Sequence, residues 1–344
     1  MELVLGTACA VNLFEDGSNQ IYSQIFSRVR EIDRTMNFHA GEFHEMISGG
    51  IVDPDSRTAA AIQSAAEALT SGIAAVNARA GIEPVKVRPD IIDVLEKAQY
   101  FSEISGGAFD PTIGPLVRLW GIGTDEARVP DYYEIANTLK LVNRREVIID
   151  REAGTVFLLS GGMALDFGAI AKGFAVDEAV RIARKAGVKR GIFDFGGDIY
   201  VLGRRGQGRD KSPWRIGIQN PLNERGEYIG VLQAVDKSVV TSGVYERFFE
   251  SDGKYFHHIL SPETGYPVDS GLLSVTVVAD KCADADALST AVFVLGFERG
   301  RALINSIPDT EAIFIFDDNN IIITAGLKES FTPSPGDFEI TFLD

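Results

Sequence analysis

Asp286 and Thr290 stand four residues apart in the stretch CADADALSTAVFVLG (282–296), whose apolar second half reads as a helix entering a core. Four residues is about one helical turn, so a carboxylate and a hydroxyl project from one face. Those are hard oxygen donors, which suit Mg2+ better than zinc. The first turns also fit a plainer account, with Asp284 as cap and Asp286 complementing the helix dipole. That account leaves Thr290 unexplained, because it lies deeper and core residues follow it at once.

Four further stretches offer chemistry. In LDFGAIAKGFAVD (165–177), a helix N-terminus presents free N–H groups to an anion; Lys172 can reach a phosphate, and Asp166 can accept from a base or ribose. An ordinary helix with a solvated lysine fits the same residues. The glycine-rich turns GGAFDPTIGPL (106–116) and DFGGDIYVLG (194–203) let backbone approach a planar or phosphorylated ligand, or are simply tight loops. In KYFHHILSPETGYP (254–267), His257 and His258 alternate to opposite faces of a strand, so one of them at most serves a given site as general base. The chain has no Gly-x-Ser-x-Gly elbow and no Cys–His pairing with an orienting group, which argues against a triad hydrolase.

The elements that must position these residues follow from periodicity. Helices are expected at 18–35, with Ser18 as N-cap and Ile21, Ile25, Val29 and Ile32 on one face, at 55–70, at 89–105, at 168–187 closed by Gly187, and at 284–295. Strands are expected at 146–150, 155–160, 192–202, 214–219, 228–235, 255–261 and 272–279, with a βαβ-like close over 298–325. The mixture without strict alternation predicts an α+β fold, and no G-x-G-x-x-G joins a strand to a helix, so a Rossmann site is unsupported. The 344 residues, 45% hydrophobic, suffice for a large core. A net charge of −16 repels nucleic acid and anionic lipid. Cys9 and Cys282 match no metal or disulfide spacing. No apolar run approaches the roughly 18 residues of a membrane span. The N-terminus, MELVLGTACAVNLFEDG, reads as a strand ending in a turn rather than a signal peptide.

Singly these signals are weak; their order is specific. LGT (5–7), SGIAAVN (71–77), GGAFDPTIGPLVRLWG (106–121), LDFGAIAKGFAVD (165–177), FGGDIYVLG (195–203), TSGVYER (241–247), HHILSPETGYPV (257–268) and DADALSTAVFVLG (284–296) resemble, in sequence, the ApbE family of FAD:protein FMN transferases. The resemblance implies a single α+β domain over 1–344, T-fold-like, of two packed lobes with the flavin site between them. It implies FAD as substrate, Mg2+ as cofactor, transfer of FMN to a Thr or Ser of a respiratory or redox protein, and release of AMP. Metal ligation then falls to Asp286, Thr290 and the Ala169 carbonyl, and nucleotide contacts to Leu5, Phe38, Ala108, Phe109, Asp110, Asp166, Lys172 and Ile259. His258 becomes the base, and Asp284 stays a cap. Family habit points to the outer face of the cytoplasmic membrane through a lipid anchor, the alternative being cytoplasmic. Alternative activities are FAD pyrophosphatase and FAD binding without turnover.

The chain departs from the pattern in three places. Leu5 stands where the family often has Met, and Ser261 where Asp is usual. Met36 and Asn77 are joined by a longer segment than the family uses, making 41–70 an insertion, either peripheral or a lid or docking surface. Phe38 or His39 is the candidate for the aromatic flavin contact there. No Gly-Ala-Thr acceptor motif is present, so self-flavinylation is not expected.

Overall fold

The computed structural model describes residues 1–14, 19–37, 70–206, 208, 210–224, 226–336 and 338–343. Ser18, Phe38, His39 and nearly all of the expected insertion at 41–70, with its alanine-rich helix, lie outside them. The chain divides into two compact units: Met1–Arg28 with Lys172–Ile259 and Pro267–Asp344, and Val29–Ala171 with Leu260–Tyr266.

The first unit is organised by a nine-stranded sheet in the order Glu2–Val4, Thr7–Leu13, Gly191–Phe195, Asp198–Leu202, Lys237–Gly243, Leu272–Ala279, Glu311–Phe316, Asn320–Ile323, Glu339–Phe342. All neighbours are antiparallel except the last pair. One face buries Val201, Val278, Ile313 and Ile321 against Trp214, Ile216, Ile218 and Leu232 of a smaller sheet built from Trp214–Gln219, Tyr228–Ala234 and Phe331–Pro333. The helix Cys282–Asn305 packs on the strands Lys237–Gly243 and Leu272–Ala279. Val275 and Val277 alternate to the side opposite Val278, so the 272–279 strand is apolar on both faces.

Several expected boundaries change. The single strand at 192–202 is a hairpin folded at Gly196–Gly197, both at positive φ (66° and 98°), as a two-residue turn of this twist requires. The Asp286 helix does break at Gly296 (φ 73°, ψ 178°), but a second helical stretch continues to Asn305. An antiparallel hairpin follows, in place of a βαβ-like close. Lys237–Gly243 and Phe248–Ser251 are strands the periodicity did not show: Lys237, Ser238, Thr241 and Ser242 interrupt the apolar signal of the first. The strand expected at 255–261 covers only Lys254–His257 and pairs with Phe248–Ser251.

The second unit holds the helix Pro89–Ile104, close to its expected span, with proline in the first turn and Ile91, Ile92, Leu95, Ala98 and Phe101 buried. With it are the helices Gly114–Trp120 and Tyr132–Thr138, the latter held by a capping box between Asp131 and Glu134. Its sheet is Val85–Lys86, Thr155–Leu158 and Val147–Asp150. Among the described residues no helix is long and apolar enough to cross a membrane.

Candidate active site

In the first unit two helices meet at their N-termini. The helix Ala171–Lys185 places Gly173 so close to the start of the Asp286 helix that a Cβ there would stand 2.4 Å from the Cys282 carbonyl oxygen. This contact sets up a charge cluster. Lys172 Nζ donates to both oxygens of Asp198 at 2.8 and 2.9 Å, and to Asp286 Oδ1 at 3.3 Å. The Gly173 N–H donates to Asp286 Oδ2 at 3.0 Å. Both carboxylates are buried, their side chains 3% and 4% exposed, while 29% of the Lys172 side chain reaches the surface. Burial works against the charged lysine, yet Asp198 and then Asp286 carry its pKa above the ordinary value. Burial first, and the Asp286 charge second, push Asp198 well above the usual carboxylate range, with Lys172 pulling the other way.

Two carboxylates share one lysine in a buried place, and each disfavours the other's charge. A second, hard cation would relieve that repulsion, and the oxygens nearby fit one. The Thr290 hydroxyl stands a turn beyond Asp286, 3.2 Å from Ser242 Oγ, which also meets Ser289 Oγ at 2.8 Å; Ser289 in turn donates to the Asp286 carbonyl at 2.9 Å. Among the described residues no group of three or more His, Cys, Asp or Glu side chains could hold a metal. A cation here would therefore depend on Asp286 with hydroxyl and carbonyl oxygens. Ala169 lies in the turn 168–170 ahead of the Ala171–Lys185 helix. The capping of the Asp286 helix differs from expectation. Its N-cap, Lys281, makes no side-chain cap bond, and Asp284 lies in the first turn. Instead, Asp177 reaches across from the neighbouring helix and accepts from the N–H groups of Cys282 and Ala283 at 2.9 and 3.1 Å. No local spacing marks Asp177 for this role, and for Asp198 the one sequence signal is a carboxylate directly after a Gly–Gly turn.

The two adjacent histidines differ in the way alternation implies. His257 is buried, Nε2 donates to the Val268 carbonyl at 2.8 Å, Nδ1 accepts from the Ile259 N–H at 3.2 Å, and its ring lies edge-on to Phe293. It is fully occupied with structure. His258, half-buried just beyond the strand, has Nδ1 3.3 Å from the Arg247 carbonyl oxygen. A carbonyl only accepts, so Nδ1 carries the hydrogen and Nε2 is left as a lone-pair acceptor. Surrounding protein first, and the Arg247 guanidinium second, pull the His258 pKa from 6.5 to about 4, so the ring is neutral at pH 7. Ile259 is buried beside it. Leu5 forms the turn of the first hairpin with its backbone at φ 56°, a strained conformation for leucine.

In the second unit the two expected nucleotide-binding loops are stitched together: the Asp166 N–H donates to the Pro111 carbonyl at 2.8 Å, and Ile113 bridges Ala164. Asn77 clamps the second loop, donating to the Leu165 carbonyl at 2.9 Å and accepting from its N–H at 2.7 Å. Asp110 accepts from the Thr112 N–H at 2.8 Å and hydroxyl at 2.6 Å, and burial raises its pKa. Asp166 Oδ1 takes the Gly168 N–H at 2.6 Å. Phe109 is buried, its N–H donating to Ser105 Oγ at 3.1 Å, and Ala108 is partly exposed. Ser261, in place of the family's usual Asp, still accepts from the N–H groups of Glu263 and Thr264 at 3.3 and 3.2 Å, so the turn keeps an oxygen cap.

The family model of the ApbE family matches residues 5–314. The chain belongs to the ApbE family. The FAD:protein FMN transferase of Treponema pallidum is 37% identical over 95% of this chain and 87% of its own length. That of Klebsiella pneumoniae is 38% identical over 77% of this chain and 81% of its own. The crystal structure of the ApbE protein of Thermotoga maritima superposes with a TM-score of 0.75 at 31% identity, covering 93% of this chain and 94% of that one. The flavin transferase ApbE of Vibrio cholerae superposes with a TM-score of 0.73 at 25% identity, covering 96% and 94%. The α+β architecture of this chain is thus that of the ApbE domain.

Proposed function

We propose that this ApbE-family chain is an FAD:protein FMN transferase that moves FMN from FAD onto a Thr or Ser hydroxyl of a protein acceptor and releases AMP. The observation that carries the reading is the buried Lys172–Asp198–Asp286 cluster with the Thr290 hydroxyl beside it. It combines a partly exposed ammonium, suited to a phosphate, with hard oxygens suited to Mg2+. Relatives named FAD:protein FMN transferase, one of them aligned over 95% of the chain, support the same activity.

Asp286 and Thr290 would hold the Mg2+ ion, which when bound offsets charge on the transferring phosphoryl group. Lys172 binds a phosphate oxygen. His258 Nε2 accepts the proton of the acceptor hydroxyl as that oxygen attacks the FMN-side phosphorus. The phosphorus–oxygen bond to the AMP phosphate breaks, and AMP leaves with the electron pair. In the second unit Asp110 and Asp166 offer acceptor edges suited to a flavin nucleotide. A respiratory or redox subunit is the acceptor kind this chemistry serves, and the outer face of the cytoplasmic membrane is where we place the reaction, by resemblance to the family.

The test is incubation with FAD, Mg2+ and an acceptor protein, reading flavinylated acceptor and AMP. Asp286→Ala should abolish AMP release while FAD affinity is at least partly kept. Normal turnover of that variant with Mg2+ as sole divalent cation overturns the metal assignment, and free FMN in place of flavinylated acceptor overturns the transfer.

A further inference from the structure

Lys172 does not divide itself evenly between its two carboxylates. It meets Asp198 through both oxygens, at 2.8 and 2.9 Å, and Asp286 through one, at 3.3 Å. Asp286 is steadied instead by the Gly173 N–H on its other oxygen, 3.0 Å away. Asp198 can grip the ammonium this way because it is fixed itself. It opens the strand Asp198–Leu202 directly after the Gly196–Gly197 turn, and its side chain is 3% exposed. A lysine released from that grip would have one strong partner left, the Asp286 carboxylate, and an ammonium seated there competes with a cation for the same oxygen.

We infer that Asp198 is a positioning residue: by holding Lys172 in a two-oxygen grip it limits the ammonium to a single long contact with Asp286 Oδ1, 3.3 Å, weak enough for a divalent cation to displace. The inference rests on the Mg2+- and FAD-dependent reading above. Asp198 has a second effect through its charge, since a carboxylate near a cation attracts it wherever the lysine sits. The grip and the charge are separable by experiment, because only the grip acts through Lys172.

The experiment titrates Mg2+ into the full-length protein with FAD and reads flavin fluorescence, for wild type, Asp198→Asn, Lys172→Met and the double variant. Asp198→Asn should raise the half-saturating Mg2+ by about tenfold, within the range of coupling between contacting residues. In the Lys172→Met background the same change should have little further effect. An unchanged half-saturation in Asp198→Asn, or an equal increase in both backgrounds, overturns the positioning role. Should Asp198→Asn not fold, Asp198→Glu decides the matter. Its longer arm keeps the charge but pushes the ammonium toward Asp286, so the half-saturation should rise, whereas a charge effect alone leaves it unchanged. Wild type whose FAD binding ignores Mg2+ fails the functional reading itself, a different result from any of these.

Discussion

A neutral imidazole with one nitrogen already committed has a single proton-accepting position, and His258 is in that state. Its Nδ1 is taken by the Arg247 carbonyl, and its pKa near 4 keeps it unprotonated through the neutral range. Transfer measured as kcat/KM should therefore be flat from about pH 6 to 8. A limb with a midpoint near 6.5 would mean that His258 titrates as a free imidazole. His258→Ala should lower transfer by roughly 10²–10⁴ with FAD binding largely kept, the usual range for a lost general base. His257→Ala should instead act on the fold, lowering the melting temperature. The opposite ranking would exchange their roles. Both histidines have folded pKa values below 6.5. Between His258's value of about 4 and 6.5 the unfolded chain binds more protons, so their contribution to stability is complete above 6.5 and is lost as pH falls through that window. Wild type should lose melting temperature between pH 6.5 and 4.5 more steeply than a His258→Gln variant, and equal slopes would remove this linkage.

At the scale of elements, the contact of the two helix N-termini is the part of the site least tolerant of change. Gly173→Ala would drive a methyl group into the Cys282 carbonyl and within 2.7 Å of Ala283 Cα, and neither backbone atom can rotate away. Overpacking of this kind costs about 1–3 kcal/mol, and here it also shifts the N–H that steadies Asp286. Melting temperature and FAD affinity should fall together in Gly173→Ala; a loss of stability alone would mean that the helices separate without disturbing Asp286. This interplay also marks what a sequence can reveal. Long helices with an apolar stripe, such as Pro89–Ile104, are legible because packing and periodicity agree. So is the chemical pairing of Asp286 with Thr290, because one helical turn fixes it. Asp177, 105 positions before Cys282, caps a helix that no local spacing connects to it. The short strand Lys237–Gly243 belongs to the sheet through pairing on both sides, which overrides its polar face.

At the scale of the whole molecule, the residues of the cluster come from distant parts of the chain: Lys172 and Asp198 from its middle, Asp286 from the helix that starts 110 positions after Lys172. Loop closure over such a span is a late and slow event in folding. A chain growing from the ribosome has therefore made the lysine and its first partner long before the Asp286 helix emerges. Until then the Asp177 carboxylate has no helix to cap. FAD with Mg2+ should bind only once Cys282–Asn305 has docked, which makes the substrate a reporter of completed synthesis. A nascent chain stalled before residue 282 should fail to quench flavin fluorescence, and one stalled after the Asn320–Ile323 strand has cleared the exit tunnel should succeed. Quenching by the shorter chain would show that the first partners alone suffice for binding.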